Sequence, residues 1–157
     1  MTTETDHILL RRTFALSAEA KRAGNFPYAC VLADPSGKLI LEAKNGIMTG
    51  KNHLNHAEMV LLLEACSAFS FEALQSFTIY TSAEPCPMCA AAIYWSGIGR
   101  LVYGLSSERK NKLNNGSGHI SMNRPVREVI ACGNRPMEIT GPLLEDEAWV
   151  SVDGHSN

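Results

Sequence analysis

The chain has 157 residues, which fits one compact domain spanning 1–157 and leaves little room for a second. Hydrophobic residues make up 45% and charged residues 19%, with a formal net charge of −2. That composition supplies an ordinary globular core and argues against a strongly basic nucleic-acid binder. The longest strongly apolar stretch, around Val60–Leu63, is far too short to span a membrane. The acidic start, Met1 to Asp6, has no apolar leader, so a soluble cytoplasmic protein with no membrane partner is expected.

In chain order, a loosely helical apolar period predicts a helix over residues 6–23, ending near Gly24. Tyr28–Ala33 and Lys38–Ala43 flank the turn sequence Asp34-Pro35-Ser36-Gly37 and predict a hairpin. Asn45 to Asn55 reads as a polar loop, His56–Ala68 as a helix, and Phe77–Thr81 as a short strand. Cys86–Ser96 is Ala-rich and helical, stopped by Gly97, and Arg100–Tyr103 is another short strand. Residues 104–123 read as a loop with at most one helical turn, and Val126–Ala131 carries no clear pattern. Met137–Thr140 closes as a strand and Leu143–Val150 as a short helix. Strands alternating with helices predict a three-layer α/β/α sandwich around a mixed, mostly parallel five-stranded sheet with an antiparallel hairpin at its start.

The chemistry concentrates in two segments, each at a helix start: Asn55-His56-Ala57-Glu58 and Glu84-Pro85-Cys86-Pro87-Met88-Cys89. The five cysteines, Cys30, Cys66, Cys86, Cys89 and Cys132, are odd in number and include one close pair. They do not form a disulfide framework; a Cys-x-x-Cys pair in such a chain binds metal or cycles redox state. Cys86 and Cys89, at i and i+3, fall on one helical face, and a helix N-terminus favours thiolate. With His56 they make three ligands, and zinc with three protein ligands keeps a fourth position open for water. Glu58, two residues after His56, is a poor co-ligand and a good proton carrier beside that water. Two bland readings stay open: a Cys86–Cys89 redox dithiol, and a closed structural zinc site completed by His53, Cys66 or Cys132.

His-x-Glu followed by Pro-Cys-x-x-Cys is the signature of zinc deaminases. On these residues the chain resembles the cytidine-deaminase-like superfamily, in the branch holding bacterial guanine deaminases, cytosine deaminases and tRNA adenosine deaminases. The stretch Tyr80-Thr81-Ser82-Ala83-Glu84-Pro85-Cys86-Pro87-Met88-Cys89-Ala90-Ala91-Ala92-Ile93-Tyr94-Trp95 looks most like guanine deaminases. The resemblance implies Zn2+ on His56, Cys86 and Cys89, with Glu58 as general acid/base. It also implies a substrate held by Asn45 and by backbone amides at Ala57 and near Glu84, while Tyr28, a candidate substrate-binding residue, stands where relatives often carry a smaller or non-hydroxylated residue and alters the expected pocket floor. Trp95 and Trp149 are candidates for stacking on a base, with Trp149 and His155 as a terminal lid, and a homodimer is expected from the same likeness. The implied substrate is a small-molecule nucleobase or nucleoside, guanine first, with cytosine or another amino-heterocycle as the alternative. A tRNA substrate is disfavoured, because no Lys or Arg follows Arg135 and the cluster Arg109, Lys110 and Lys112 reads as a solvated face.

Overall fold

In the computed structural model, residues 2–114 and 120–153 are described. Helix α1 (Glu4–Arg22) starts on a full capping box: the Thr3 hydroxyl accepts from the Asp6 N–H, and the Asp6 carboxylate accepts from the Thr3 N–H. The hairpin follows as β1 (Ala29–Ala33) and β2 (Leu39–Lys44), with Asp34 Oδ1 accepting from the Ser36 and Lys38 amides across the turn. A one-turn helix α2 (Ile47–Gly50) interrupts the segment expected to be loop, ahead of α3 (Ala57–Ala68) and the short α4 (Phe71–Leu74). Then come β3 (Thr78–Ala83), α5 (Pro87–Ser96), β4 (Arg100–Leu105), α6 (Ser107–Asn114), α7 (Val126–Ile130), β5 (Glu138–Thr140) and α8 (Glu145–Asp153).

The five strands form one sheet in the order β2-β1-β3-β4-β5. β1 pairs antiparallel with both β2 and β3, whereas β3–β4 and β4–β5 are parallel. Four strands therefore point one way and β1 alone runs against them. Side chains alternate across the sheet with the strand period of two. Cys30, Leu32, Ile79, Leu101 and Tyr103 face α3, α5 and α7, while Val31, Ala33, Tyr80 and Val102 face α1 and α8. Each fully buried Leu, Ile or Val on these faces contributes about 1.5–3 kcal/mol. Gly104 is where the second layer closes most tightly: a Cβ there would lie 2.7 Å from Phe14 and 3.0 Å from Ala148, so only glycine lets α1 and α8 settle on β4.

This is the expected three-layer α/β/α sandwich. No helix among the described residues is long and apolar enough to cross a membrane. Because β2, β3 and β4 share a direction, their carboxyl ends open on one edge of the sheet, together with the start of β1. Asn45 follows β2, Glu84 follows β3, Ser106 follows β4, and Tyr28 precedes β1. In open α/β sheets that edge is where ligands bind.

Candidate metal centre and active site

Two helix starts meet at this edge. His56 is the N-cap of α3 (φ −61°, ψ 147°) and Cys86 the N-cap of α5 (φ −66°, ψ 164°). Cys86 thus stands just outside the helix expected to contain it, with Pro87 as the first helical residue, where its missing N–H has no intrahelical partner to lose. Cys89 lies in the first turn and is fully buried. His56 Nδ1 is 3.7 Å from Cys86 Sγ and 3.6 Å from Cys89 Sγ, and all three donor atoms lie within 4.8 Å of one another.

This donor set fits zinc. One imidazole nitrogen and two sulfurs are the ligands zinc prefers, and two helix N-termini direct positive dipole ends at the thiolates. Hydrogen bonding from Cys89, then from His56, outweighs burial and holds the Cys86 thiol down at about 4, while the same pairing and burial push Cys89 far up. His56 is raised from its ordinary value, chiefly by its hydrogen bond with Cys86. Among the described residues no fourth His, Cys, Asp or Glu joins the cluster: Cys66 and Cys132 are exposed elsewhere, and His53 stays outside it. A three-ligand centre with an open position is the catalytic pattern, not the closed structural one.

A cavity of about 610 Å³ opens over the cluster. Its wall includes His56, Cys86, Glu58, Asn45, Tyr28 and Glu84. Glu58, in the first turn of α3, is 8% exposed, and burial pushes its carboxyl up. Asn45 is 4% exposed; its Oδ1 accepts from the Ile47 N–H at 3.1 Å, so the Asn-Gly turn and a place on the cavity wall coexist. Burial raises the Tyr28 hydroxyl to about 12.

The remaining expectations concern Glu84, Ala57 and the two tryptophans. Glu84 was expected to help through nearby backbone amides. Instead its carboxylate accepts from the Ser107 N–H at 2.7 Å and the Val126 N–H at 2.8 Å, tying two distant segments to the cavity wall. Ala57 is buried at the start of α3 between the wall residues His56 and Glu58, which leaves its backbone amide as the group that was expected to act. Trp95 is 78% exposed on the outer side of α5, edge-on to Tyr94, and does not reach the cavity. Trp149 packs on the α1–α8 side of the core, with the Arg109 guanidinium 4.8 Å from its ring centroid, also away from the cavity. His155 lies outside the described residues. Among the wall residues that sequence reasoning missed is Lys110, which belongs to the cavity and not to a solvated face.

Comparison with known proteins agrees with this geometry. Residues 3–105 match the family described as cytidine and deoxycytidylate deaminase zinc-binding region. A probable cytosine deaminase from Schizosaccharomyces pombe is 34% identical over 152 residues, 96% of this chain and 92% of that protein. A tRNA-specific adenosine deaminase from Rickettsia bellii is 35% identical over 78% of this chain and 80% of its own length. Among solved structures, a protein in complex with 8-azaguanine superposes with a TM-score of 0.82 at 25% identity, covering 95% of this chain and 82% of that one. A guanine deaminase from Nitrosomonas europaea shares the fold, with a TM-score of 0.78 at 24% identity over 98% of this chain and 85% of that one. With its three zinc donors in place, the chain belongs to the cytidine and deoxycytidylate deaminase family and is a zinc-dependent deaminase of the nucleobase or nucleoside class.

Proposed function

We propose that this chain hydrolyses the exocyclic amino group of a free 4-aminopyrimidine ring of the cytosine type, leaving C=O and releasing ammonia. The observation that carries the reading is the buried Glu58 carboxyl on the wall of the same cavity that bares His56 and Cys86. Zinc held by His56, Cys86 and Cys89 supplies Lewis acidity that brings the pKa of water toward neutrality. Glu58 would take one proton from water and deliver it to the ring nitrogen beside the reacting carbon, then take the second from the hydroxyl added to that carbon and pass it to the leaving amine. Its raised pKa suits a group that must both accept and donate near neutral pH. With Oδ1 of Asn45 engaged by Ile47, Nδ2 is left to donate to an acceptor on the ring edge.

The choice of ring follows from the acceptors on the wall. Guanine presents N1–H and a 2-amino group, both donors, and calls for a carboxylate acceptor. Glu84, the carboxylate other than Glu58 on the described wall, has both oxygens engaged by backbone amides. A cytosine-type ring, with one ring N–H and an oxo acceptor, makes fewer demands, and the relative from S. pombe is named a probable cytosine deaminase. Guanine is the second reading, favoured by the likeness to a protein that binds 8-azaguanine. A homodimer is part of the proposal, supported by Val60, Leu63 and Trp95, which stand exposed on α3 and α5.

The test is zinc content together with ammonia release from cytosine, cytidine, guanine, guanosine, adenine and adenosine. One zinc per chain and turnover of a free base are expected. Glu58→Gln should keep the zinc and lose turnover by about 10²-fold or more. Wild-type-like turnover in that variant would remove Glu58 from its role.

A further inference from the structure

Arg109, Lys110 and Lys112 are near neighbours in sequence, but the fold separates their tasks. Arg109 pairs with Asp146 at 2.6 Å and covers the Trp149 ring. Lys110 is half-buried and turns to the cavity. Its Nζ donates to the backbone carbonyl of Glu84 at 2.9 Å and sits 5.8 Å from the centroid of the Tyr28 ring. Both partners are uncharged. No carboxylate among the described residues lies within ion-pair distance of this ammonium. The two carboxylates that share the cavity wall are placed for other work: Glu84 holds the Ser107 and Val126 amides, and Glu58 stands with the metal ligands.

An ammonium has three donors, and the Glu84 carbonyl occupies one. A ring filling the cavity would exclude solvent from the others. A neutral ring would then leave a desolvated cation that the Glu58 carboxylate offsets only across the cavity, without a hydrogen bond to it, whereas an anionic acceptor on the ring meets it through a charge-assisted hydrogen bond. The position of Lys110 sets where such an anion belongs. It is bonded to Glu84, two residues from Cys86, and adjoins Tyr28, so it reads the ring itself and not a group a sugar's length away.

We infer that Lys110 determines specificity, selecting an amino-heterocycle that carries a carboxylate on its ring over the neutral ring of the same shape. The inference rests on the deaminase reading of this cavity and narrows its substrate class to carboxylated aminopyrimidines.

The experiment measures binding by titration calorimetry to zinc-loaded protein carrying Glu58→Gln, so that turnover does not intrude. The probes are cytosine, cytosine-5-carboxylate, cytosine-6-carboxylate and cytidine 5′-monophosphate. One of the two carboxylates should bind about 10- to 100-fold tighter than cytosine, the range for a hydrogen bond to a charged group. Adding Lys110→Met should erase that preference with cytosine affinity changing less, and Lys110→Arg should retain most of it. Equal binding of cytosine and both carboxylates overturns the inference, as does a preference that survives Lys110→Met. Tightest Lys110-dependent binding by cytidine 5′-monophosphate also overturns it, by moving the anion from the ring to a sugar phosphate. Failure to release ammonia from any base would strike the deaminase reading instead, because the binding comparison does not depend on turnover.

Discussion

Glu84 shows how one side chain can build a site without touching the reaction. It is 6% exposed, and its two oxygens accept from backbone N–H groups 23 and 42 residues further along the chain. Its own carbonyl holds Lys110. A carboxylate is the residue this geometry requires, because both partners are donors and both oxygens must accept. In Glu84→Gln, the amide NH2 would face one of those N–H groups, donor against donor. That leaves a buried N–H unsatisfied, and the expected cost is about 1–3 kcal/mol of folding stability. Denaturant unfolding checks it, and zinc content separates the effect from the metal centre: the variant should unfold earlier yet bind zinc. An unchanged midpoint would show that Ser107 and Val126 find other partners.

Among elements, the attachment of α1 to the sheet is the most electrostatic part of the fold. Asp6 is 1% exposed and accepts from Arg100 at 2.7 and 3.0 Å, from the Tyr80 hydroxyl at 2.8 Å, and from the Thr3 N–H at 2.8 Å. Arg100 also donates to Glu138, so one guanidinium joins α1, β4 and β5. Burial pushes the Asp6 carboxyl up, but Arg100, Thr3 and Tyr80 together outweigh it and hold the group well below its usual 3.8. A depressed folded pKa means the stabilisation is fully present above the unfolded value near 4. It is lost as pH falls through that value toward the folded one. Asp6→Asn should therefore cost about 3–5 kcal/mol at neutral pH, since it strands a partly buried Arg100. The gap between variant and wild type should shrink steadily below pH ~4. A gap independent of pH in unfolding titrations would mean that the loss is one of packing rather than of charge. The surface pairs Arg11–Glu147 and Arg12–Glu42 are more exposed, and solvent screening leaves each with a smaller contribution than the Asp6–Arg100 pair.

The same elements show what a sequence discloses. α1, α3 and α5 are long enough for their pattern to surface, and both strands of the hairpin flank a turn written in Asp, Pro, Ser and Gly. The metal ligands were legible because each lies at a helix start that its own neighbours specify: Pro87 opens α5, and Gly97 (φ 95°) closes it. By contrast α2 and α4 have four residues each and α7 five, too few for a helical period to emerge. α6 exceeds the single helical turn its sequence suggests, because Ser107–Asn114 carries Leu113 as its one large apolar side chain and its position is set by Glu84 and Asp146. Lys110 followed the same logic in reverse. Its membership of the cavity depends on a carbonyl 26 residues away, which no local pattern encodes. Trp95 and Trp149 looked like base-stacking residues by type alone, and the fold faces them elsewhere.

At the scale of the whole molecule, α3 and α5 are apolar around much of their circumference, although each buries one side against the sheet. Leu61, Leu62, Ala65, Ala90 and Ile93 face the core, while Leu63 is 71% exposed and Trp95 78%. In the monomer α3 exposes Val60 and Leu63 beside the polar Glu64 and Ser67, and α5 exposes Trp95, so large apolar side chains of both helices stand in water where a partner could cover them. α3 and α5 also carry the zinc ligands at their N-termini, so a partner covering their outer faces would brace the metal centre from outside. A second copy of the chain is the partner that the proposed homodimer supplies. Replacing the most exposed large apolar side chain on these two helices should then act on assembly before it acts on folding. Trp95→Glu places a charge where an interface would be dry, and an unpaired buried charge is strongly disfavoured. The variant should run as a monomer by light scattering at concentrations where wild type is a dimer, with helical content unchanged. Because Trp95 does not line the cavity, a fall in zinc affinity or turnover that tracks monomer formation would show that assembly supports the site. A wild-type chain that is monomeric at tens of micromolar would refute the dimer and leave Trp95 a surface residue.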